Sequence, residues 1–210
     1  MKELFISIFL LFPLINLNAQ SNFKSEIGAG YTSNIITINE LQYWDKGYVL
    51  IINNCLSLKS TFELTQTFSY QNYYFNNSSY SLGLVLPAEY GIKYGETIGE
   101  SSQLYEISFG IRSLTPLYFF KTFTSVRAGV IFIDQGVIST SVEIIGNGDS
   151  KIINYKGGGE QIIRGLVSVG LGTIFILSEN LNLVLEGKIT TTVSDIVINA
   201  SVTSNLQYSF

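Results

Sequence analysis

Hydrophobic and polar residues alternate with a period of two over most of the chain. The clearest example is the last segment, 197–210. Its even-numbered residues are apolar apart from Ser204, and its odd-numbered residues are almost entirely small and polar. The apolar positions of this segment are Ile198, Ala200, Val202, Leu206, Tyr208 and Phe210. Successive side chains of a β-strand point to opposite faces, so the pattern predicts an amphipathic strand that ends the chain on an aromatic residue.

The same alternation recurs upstream and predicts eight strands. They cover residues 23–35, 48–58, 62–74, 104–114, 120–134, 161–177, 181–193 and 197–210. Segment 80–94 is ambiguous because Pro87, which has no backbone N–H to donate to a sheet, lies in its middle. A hairpin around Pro87 would raise the number of strands to ten.

The connections between the eight predicted strands alternate in length. Sections 39–47, 76–103, 135–160 and 194–196 would lie at one end of a barrel, and the turns 59–61, 115–119 and 178–180 at the other, with both termini. Segments 95–103 and 135–160 are predicted to be irregular. Barrels of the outer membrane have an even number of strands, short turns at one end and longer loops at the other. Only the short section 194–196 departs from this arrangement.

Aromatic residues fall near both predicted rims of the barrel. Near the end with the short turns they are Phe62, Phe175, Tyr208 and Phe210, and near the opposite end they are Tyr48, Tyr74, Tyr105 and Phe132. Two such girdles are typical of strands that cross both interfaces of a membrane. The predicted fold class is therefore all-β, an antiparallel up-and-down transmembrane β-barrel with eight strands, with ten strands as the alternative.

The composition favours the same fold class. Hydrophobic residues make up 46% of the chain and charged residues 13%, whereas a typical soluble domain carries about 25% charged residues. The mean hydropathy is +0.30. Beyond residue 19, however, no segment has the roughly 18 consecutive apolar residues that a spanning helix needs. Apolar content without long apolar runs fits strands that face lipid.

The predicted inward faces carry charges of both signs. The main candidates for a lumen charge network are Glu26, Glu63, Glu106, Arg112, Arg127, Arg164, Glu186 and Lys188, and Lys24, Lys59 and Lys121 share this face. An eight-stranded barrel is just wide enough inside for side chains, and buried charges must be paired. Pairing across the turn 115–119 would place Glu106 opposite or diagonal to Arg127. We therefore expect a salt-bridge network that plugs the lumen, with a narrow gated conduit as the alternative.

Residues 1–19 have the features of a secretory signal peptide. Lys2 gives a short positive region, an apolar region follows at 4–15, and Ala19 offers a cleavage site. Leu17 is bulkier than the usual residue at its position, which leaves the cleaved bond open. An uncleaved anchor helix is the alternative, but the apolar run is too short to span a membrane. The predicted barrel domain then covers residues 20–210.

The sequence offers no recognisable catalytic, cofactor-binding or metal-binding residues. It contains no histidine and one cysteine, Cys55, which is interpreted as a small buried residue on an inward face. The glycines 157–159 are not followed by the Lys-Ser/Thr of a phosphate-binding loop. The net charge of −4 without a basic stripe argues against nucleic acid as a partner. The sections 76–103 and 135–160 are the candidates for binding an external partner.

The chain resembles the small outer-membrane β-barrel-domain proteins of Gram-negative bacteria, OmpA/OmpX-like in size. The resemblance is carried by Asn18-Ala19-Gln20, by the strand 104–112 with its partner segment 128–130, and by the terminal Tyr208-Ser209-Phe210. It covers the whole mature chain as a pattern and transfers no catalytic residue, and Pro87 has no clear counterpart.

The resemblance implies a location in the cell outer membrane, contact with its lipid bilayer, and recognition of Tyr208 and Phe210 by the barrel-assembly machinery as an assembly signal. Enzymes of this architecture generally use histidine, which is absent, so we expect a non-enzymatic barrel with a structural or surface-interaction role. A small porin-like channel is the alternative. A secreted soluble barrel that binds an apolar ligand is a weaker one, because the inward faces are polar.

Overall fold

A computed structural model of the chain describes residues 23–36, 41–80, 91–146, 149–193 and 198–210. The predicted signal peptide 1–19, Pro87 and the section 194–196 lie outside the described residues. In the described part, no helix has both the length and the apolar character needed to cross a membrane. The strands are β1 (Phe23–Ile36), β2 (Trp44–Lys59), β3 (Phe62–Phe75), β4 (Gly91–Gly99), β5 (Ser102–Pro116), β6 (Phe120–Asp134), β7 (Val137–Gly146), β8 (Asp149–Gly158), β9 (Gln161–Ile176), β10 (Leu181–Thr192) and β11 (Ile198–Ser209).

Eight of these strands close into an antiparallel barrel. Each pairs with its neighbour in the order β1-β2-β3-β5-β6-β9-β10-β11, and β11 pairs back with β1. The chain end completes this seam, because the backbone of Phe210 exchanges hydrogen bonds of 3.0 and 3.1 Å with that of Ser25. The predicted eight-stranded, up-and-down barrel of the transmembrane type is confirmed. The largest difference in a strand boundary is at β2, which begins at Trp44 rather than at residue 48.

The two ends of the barrel differ in their connections. Residues 60–61, 117–119 and 177–180 form short turns at one end, called here the short-turn end, where β1 begins and β11 finishes. The connections at the other end, called the long-loop end, include 76–101 and 135–160. The predicted alternation of connections is therefore present.

The long-loop end carries a three-stranded sheet, called here the extension sheet, in the order β4-β7-β8. The prediction that 95–103 and 135–160 are irregular was therefore wrong. The three strands continue barrel strands: β4 leads into β5, β6 into β7, and β8 into β9, each across a two-residue break. The ten-stranded barrel is also excluded, because β4 joins this sheet rather than the barrel.

The outer wall of the barrel is apolar and exposed. On β11, for example, Val202, Leu206 and Tyr208 are exposed, whereas Asn205 and Gln207 are buried. Near the long-loop end, aromatic rings follow one another across four strands, with centroids 5.1–6.4 Å apart: Tyr74, Tyr48, Tyr70, Tyr105 and Phe132. At the short-turn end, Phe120 packs against Phe175 at 5.8 Å. The wall thus has an apolar belt between two aromatic rims, as in barrels that cross a membrane.

Candidate functional site

The lumen holds charged side chains in two clusters, which the strand alternation turns inward. The first cluster lies toward the short-turn end. Glu63 on β3 and Arg112 on β5 are direct cross-strand partners, and the Arg112 guanidinium lies 2.6 Å from the Glu63 carboxylate and 3.3 Å from that of Glu26 on β1. The Lys24 ammonium lies 3.0 Å from each of the same two carboxylates. Two cations and two anions are thus joined across three strands.

The sole cysteine of the chain belongs to this first cluster. Cys55 is fully buried on β2, with its Sγ 3.3 Å from Nη2 of Arg112. The Arg112 guanidinium also lies 5.8 Å from the ring centroid of Phe123, within the range of a cation–π contact. Arg112 is therefore surrounded by two carboxylates, a sulfur atom and an aromatic face.

The second charged cluster lies farther from the short-turn end and joins opposite walls of the lumen. Lys188 Nζ on β10 is 2.7 Å from Glu106 on β5, and Arg127 Nη2 on β6 is 2.7 Å from Glu186 on β10. Ser108 Oγ donates to Glu106 at 2.8 Å. The predicted pairing of Glu106 with Arg127 across the turn was wrong. The register places Glu106 opposite Ile131 and Arg127 opposite Gly110. Both charges therefore pair with residues of β10, which neighbours neither of their strands.

The remaining inward-facing charges lie outside these two clusters of short ion pairs. Arg164 is on β9 opposite Ile131, toward the long-loop end. Lys59 is exposed beside the turn at 60–61, and Lys121 is half-buried near the start of β6. The structure therefore brings seven of the eight main candidates into the two clusters, and Arg164 shares the register row of Ile131 with Glu106.

An apolar cluster fills the lumen at the long-loop end and was not predicted. It combines inward residues of the barrel with residues of the loop before β2 and of the extension sheet. Its buried members are Leu41, Trp44, Tyr73, Leu104, Ile131, Ile133, Ile138 and Leu166. The sequence contained an indication of this cluster, because Leu104, Ile131 and Ile133 are apolar residues at positions that the strand alternation turns inward.

Trp44 fixes this apolar cluster to the surrounding backbone. Its indole Nε1 donates to the carbonyl oxygen of Glu100 at 2.8 Å, and its own carbonyl oxygen accepts from Asn34 at 3.3 Å. The Tyr73 hydroxyl donates to Asn34 Oδ1 at 3.2 Å. The cluster therefore ties β1, β2 and β3 to the break between β4 and β5.

Little space is left between the clusters. Two cavities in the lumen have volumes of about 20 Å³ each, and a single water molecule needs about 10–15 Å³ by the same kind of measure. Among the described residues, no group of three His, Cys, Asp or Glu side chains could hold a metal ion. The described lumen is thus filled by side chains, and its chemistry is that of paired charges. The fold and this interior define a small transmembrane-type β-barrel with a packed lumen.

No protein-family model matches the sequence, and no curated protein matches it significantly. Solved structures similar to the chain include Ail, the attachment invasion locus protein of Yersinia pestis, with 11% identity and a TM-score of 0.46 over 89% of this chain and 98% of that one. Neisserial surface protein A has 10% identity and a TM-score of 0.48 over 90% and 98%. A major outer membrane protein from Thermus thermophilus has 11% identity and a TM-score of 0.48 over 90% and 99%. These identities are too low to transfer a function to this chain.

Proposed function

We propose that the protein is a non-enzymatic, integral barrel of the cell outer membrane, with its short-turn end in the periplasm and its long-loop end outside the cell. The exposed apolar belt and its two aromatic rims support insertion in a bilayer. The inward face is polar and charged, which disfavours a soluble barrel that binds an apolar ligand in its lumen. Residues 1–19, as a signal peptide, would direct export.

The packed lumen is the observation that favours a structural or surface-interaction role over a channel. The two charged clusters and the apolar cluster at the long-loop end occupy the interior of the described barrel. A conduit would need these side chains to separate, and a charge moved away from its partner inside the lumen would lose the interaction that compensates its desolvation. We therefore propose that this barrel does not conduct ions.

Planar-bilayer recording tests the closed lumen. We expect no steady conductance from the wild-type protein, and we expect Arg127→Ala to destabilise the barrel because it leaves Glu186 buried without its 2.7 Å partner. Thr191→Val, a substitution on the outward face of β10, is the control. Stable open channels from the wild type, or an Arg127→Ala protein of unchanged stability that conducts, would support the porin-like alternative.

The extension sheet is the proposed surface for an external partner. In the described part of the chain, β7 is its central strand and β4 and β8 are its outer strands. On β8, Ile152 is 68% exposed. An outer strand with free backbone groups can add an extended peptide as a further strand. The sections 76–103 and 135–160, proposed above as partner-binding loops, include all three strands of this sheet.

We also propose that the barrel-assembly machinery recognises Tyr208 and Phe210. The ring of Tyr208 on β11 and that of Phe210, directly after β11, stack with centroids 6.4 Å apart at the short-turn end. This is the rim that would face the periplasm during insertion. The backbone of Phe210 pairs with that of Ser25, so the proposed signal lies at the seam where the barrel closes.

A further inference from the structure

The apolar belt is interrupted by a shallow groove that crosses five strands. One row of the groove follows the register from Ser113 on β5 through Thr124, Leu171 and Gly187 to Val202 on β11. The adjacent row runs through Thr115, Thr122, Thr173 and Leu185. All nine residues face outward by the alternation of their strands. Together with the inward-facing Phe123, Gly172 and Glu186 they line a depression of about 570 Å³. We call this depression the oblique groove.

The two ends of the oblique groove differ in polarity. The hydroxyls of Ser113, Thr115, Thr122, Thr124 and Thr173 gather on β5, β6 and β9. The other end is apolar, with Leu171, Leu185 and Val202 around Gly187. Among the hydrogen bonds of the described residues, none involves the five hydroxyls. These hydroxyls are therefore free to donate to an acceptor outside the chain, such as a lipid ester oxygen near the membrane surface.

The groove is inclined so that its hydroxyl end is nearer the short-turn end. Thr115 lies one residue before the end of β5 at Pro116, whereas Val202 lies well inside β11, which ends at Ser209. Five strands spaced by about 4.8 Å give a length of roughly 19 Å. Because the strands are tilted by about 35–45° from the membrane normal, the groove that crosses them spans roughly 12 Å along that normal. One leaflet has a hydrocarbon depth of roughly 15 Å, which is close to this span.

We propose that the oblique groove binds one acyl chain of a phospholipid from the periplasmic leaflet, with the hydroxyl end holding the ester oxygens of that chain. The inference rests on the proposed membrane location. The polarity of the groove matches that of the lipid, since esters lie near the membrane surface and the chain runs toward the bilayer centre. The one charged residue of the lining, Glu186, is paired with Arg127 at 2.7 Å on the inner side of the wall. The outward-facing residues are uncharged, so we propose recognition of the ester and the chain rather than of the headgroup.

Gly187 offers a direct test of this site. A Cβ at this position would meet no atom closer than the Leu171 carbonyl oxygen at 3.9 Å, so a side chain there fills the groove without displacing the backbone. Ala29 is the matched control, because it is also a small, exposed residue of the outer wall but lies on β1, outside the groove. Gly187→Trp and Ala29→Trp therefore add the same bulk to the lipid-facing wall inside and outside the site.

Native mass spectrometry of the folded full-length barrel, titrated with phosphatidylethanolamine in mild detergent, provides the measurement. We expect one tightly held lipid per barrel in the wild type and in Ala29→Trp, and binding at least about tenfold weaker in Gly187→Trp. Thr122→Val with Thr173→Val keeps the shape of the groove and removes two donors, so binding should weaken by about tenfold or more. Phosphatidylglycerol should bind like phosphatidylethanolamine, and an ether-linked lipid of equal chain length should bind more weakly than either.

Three results would overturn the proposal. They are equal lipid retention by Gly187→Trp and Ala29→Trp, a graded series of bound lipids without a preferred 1:1 complex, and a dimer that Gly187→Trp abolishes. The last would make the groove a contact between two copies. Heat-modifiable gel migration verifies that each variant is folded. If Gly187→Trp does not fold, the lipid affinity of the Thr122→Val, Thr173→Val variant tests the site, and wild-type affinity in that variant would overturn the proposal. A wild-type protein absent from the membrane fraction would contradict the proposed function, whereas a membrane-inserted wild type without a 1:1 lipid contradicts this inference alone.

Discussion

Arg112 is the residue on which most contacts of the first charged cluster depend. Its guanidinium reaches the carboxylates of Glu26 and Glu63 within one strongly buried site. Charges in such a site are stable only together, because the loss of one partner leaves the other desolvated without compensation. The cluster therefore makes folding sensitive to single substitutions.

Substituting Arg112→Met should strongly destabilise the barrel. The two carboxylates would keep only Lys24 as a cation, and breaking a buried pair in this way costs about 3–5 kcal/mol. Equilibrium unfolding in urea with lipid vesicles measures the loss. Lys93→Met is the control, since Lys93 of the extension sheet is exposed and lies 3.8 Å from the half-buried Glu143.

For the Lys93→Met control we expect a change of about 0–1 kcal/mol, the usual value for a surface pair. An Arg112→Met barrel with a loss no larger than that of the control would show that the first cluster does not hold the lumen together.

The inward charges could be predicted from sequence, but their partners could not. Strand alternation alone assigns Glu106, Arg127, Glu186 and Lys188 to one face. Which side chains meet depends on the register and curvature of the closed barrel, and Lys188 reaches Glu106 across the lumen although 82 residues separate them. A prediction limited to neighbouring strands therefore paired the wrong residues.

The extension sheet shows why some elements could not be predicted. Its strands lie outside the apolar belt, so the outward positions of β7 carry Ser139, Ser141 and Glu143 rather than a lipid-facing row. In the structure, Gly158 and Gly159 both have φ of +78°, a conformation that favours glycine. Gly158 ends β8, and Gly159 opens the two-residue break before β9.

Gly158→Ala should loosen the extension sheet without affecting the barrel. A side chain there is strained by the positive φ, and its Cβ would collide with the carbonyl oxygen of Gly136. The expected local cost is about 1–3 kcal/mol, seen as faster hydrogen exchange of the amides of β7 and β8.

Gly157→Ala is the adjacent control for this substitution, because a Cβ at Gly157 meets nothing within 4 Å. The same exchange rates in both variants would contradict the requirement for glycine at position 158, where β8 ends.

Deleting Phe210 should impair assembly more than it weakens the folded barrel. The deletion removes two backbone hydrogen bonds and one ring of the stacked pair, while β11 keeps its pairing with β10. We expect the variant to refold in detergent but to accumulate less in the outer-membrane fraction of cells. Phe210→Tyr, which keeps the aromatic ring, should accumulate normally. Normal accumulation of the deletion would count against a role of Phe210 as an assembly signal.

For the whole molecule, the sequence predicted the class of fold well because one physical rule acts on nearly every barrel residue. Each strand must present apolar side chains outward and polar side chains inward, and this leaves a period of two along the chain. β11 has apolar side chains on its outer face and polar side chains on its inner face, and its pairing with β1 closes the barrel. The apolar cluster at the long-loop end breaks the rule, since its residues are buried by the extension sheet and by Leu41 and Trp44 rather than by lipid.

Cell fractionation combined with heat-modifiable gel migration tests the central claim most directly. We expect the protein in the outer-membrane fraction, migrating differently before and after boiling because the closed barrel resists detergent until it is heated. A soluble periplasmic protein whose migration does not change on boiling would contradict the account of this chain as a membrane-inserted barrel with a packed lumen.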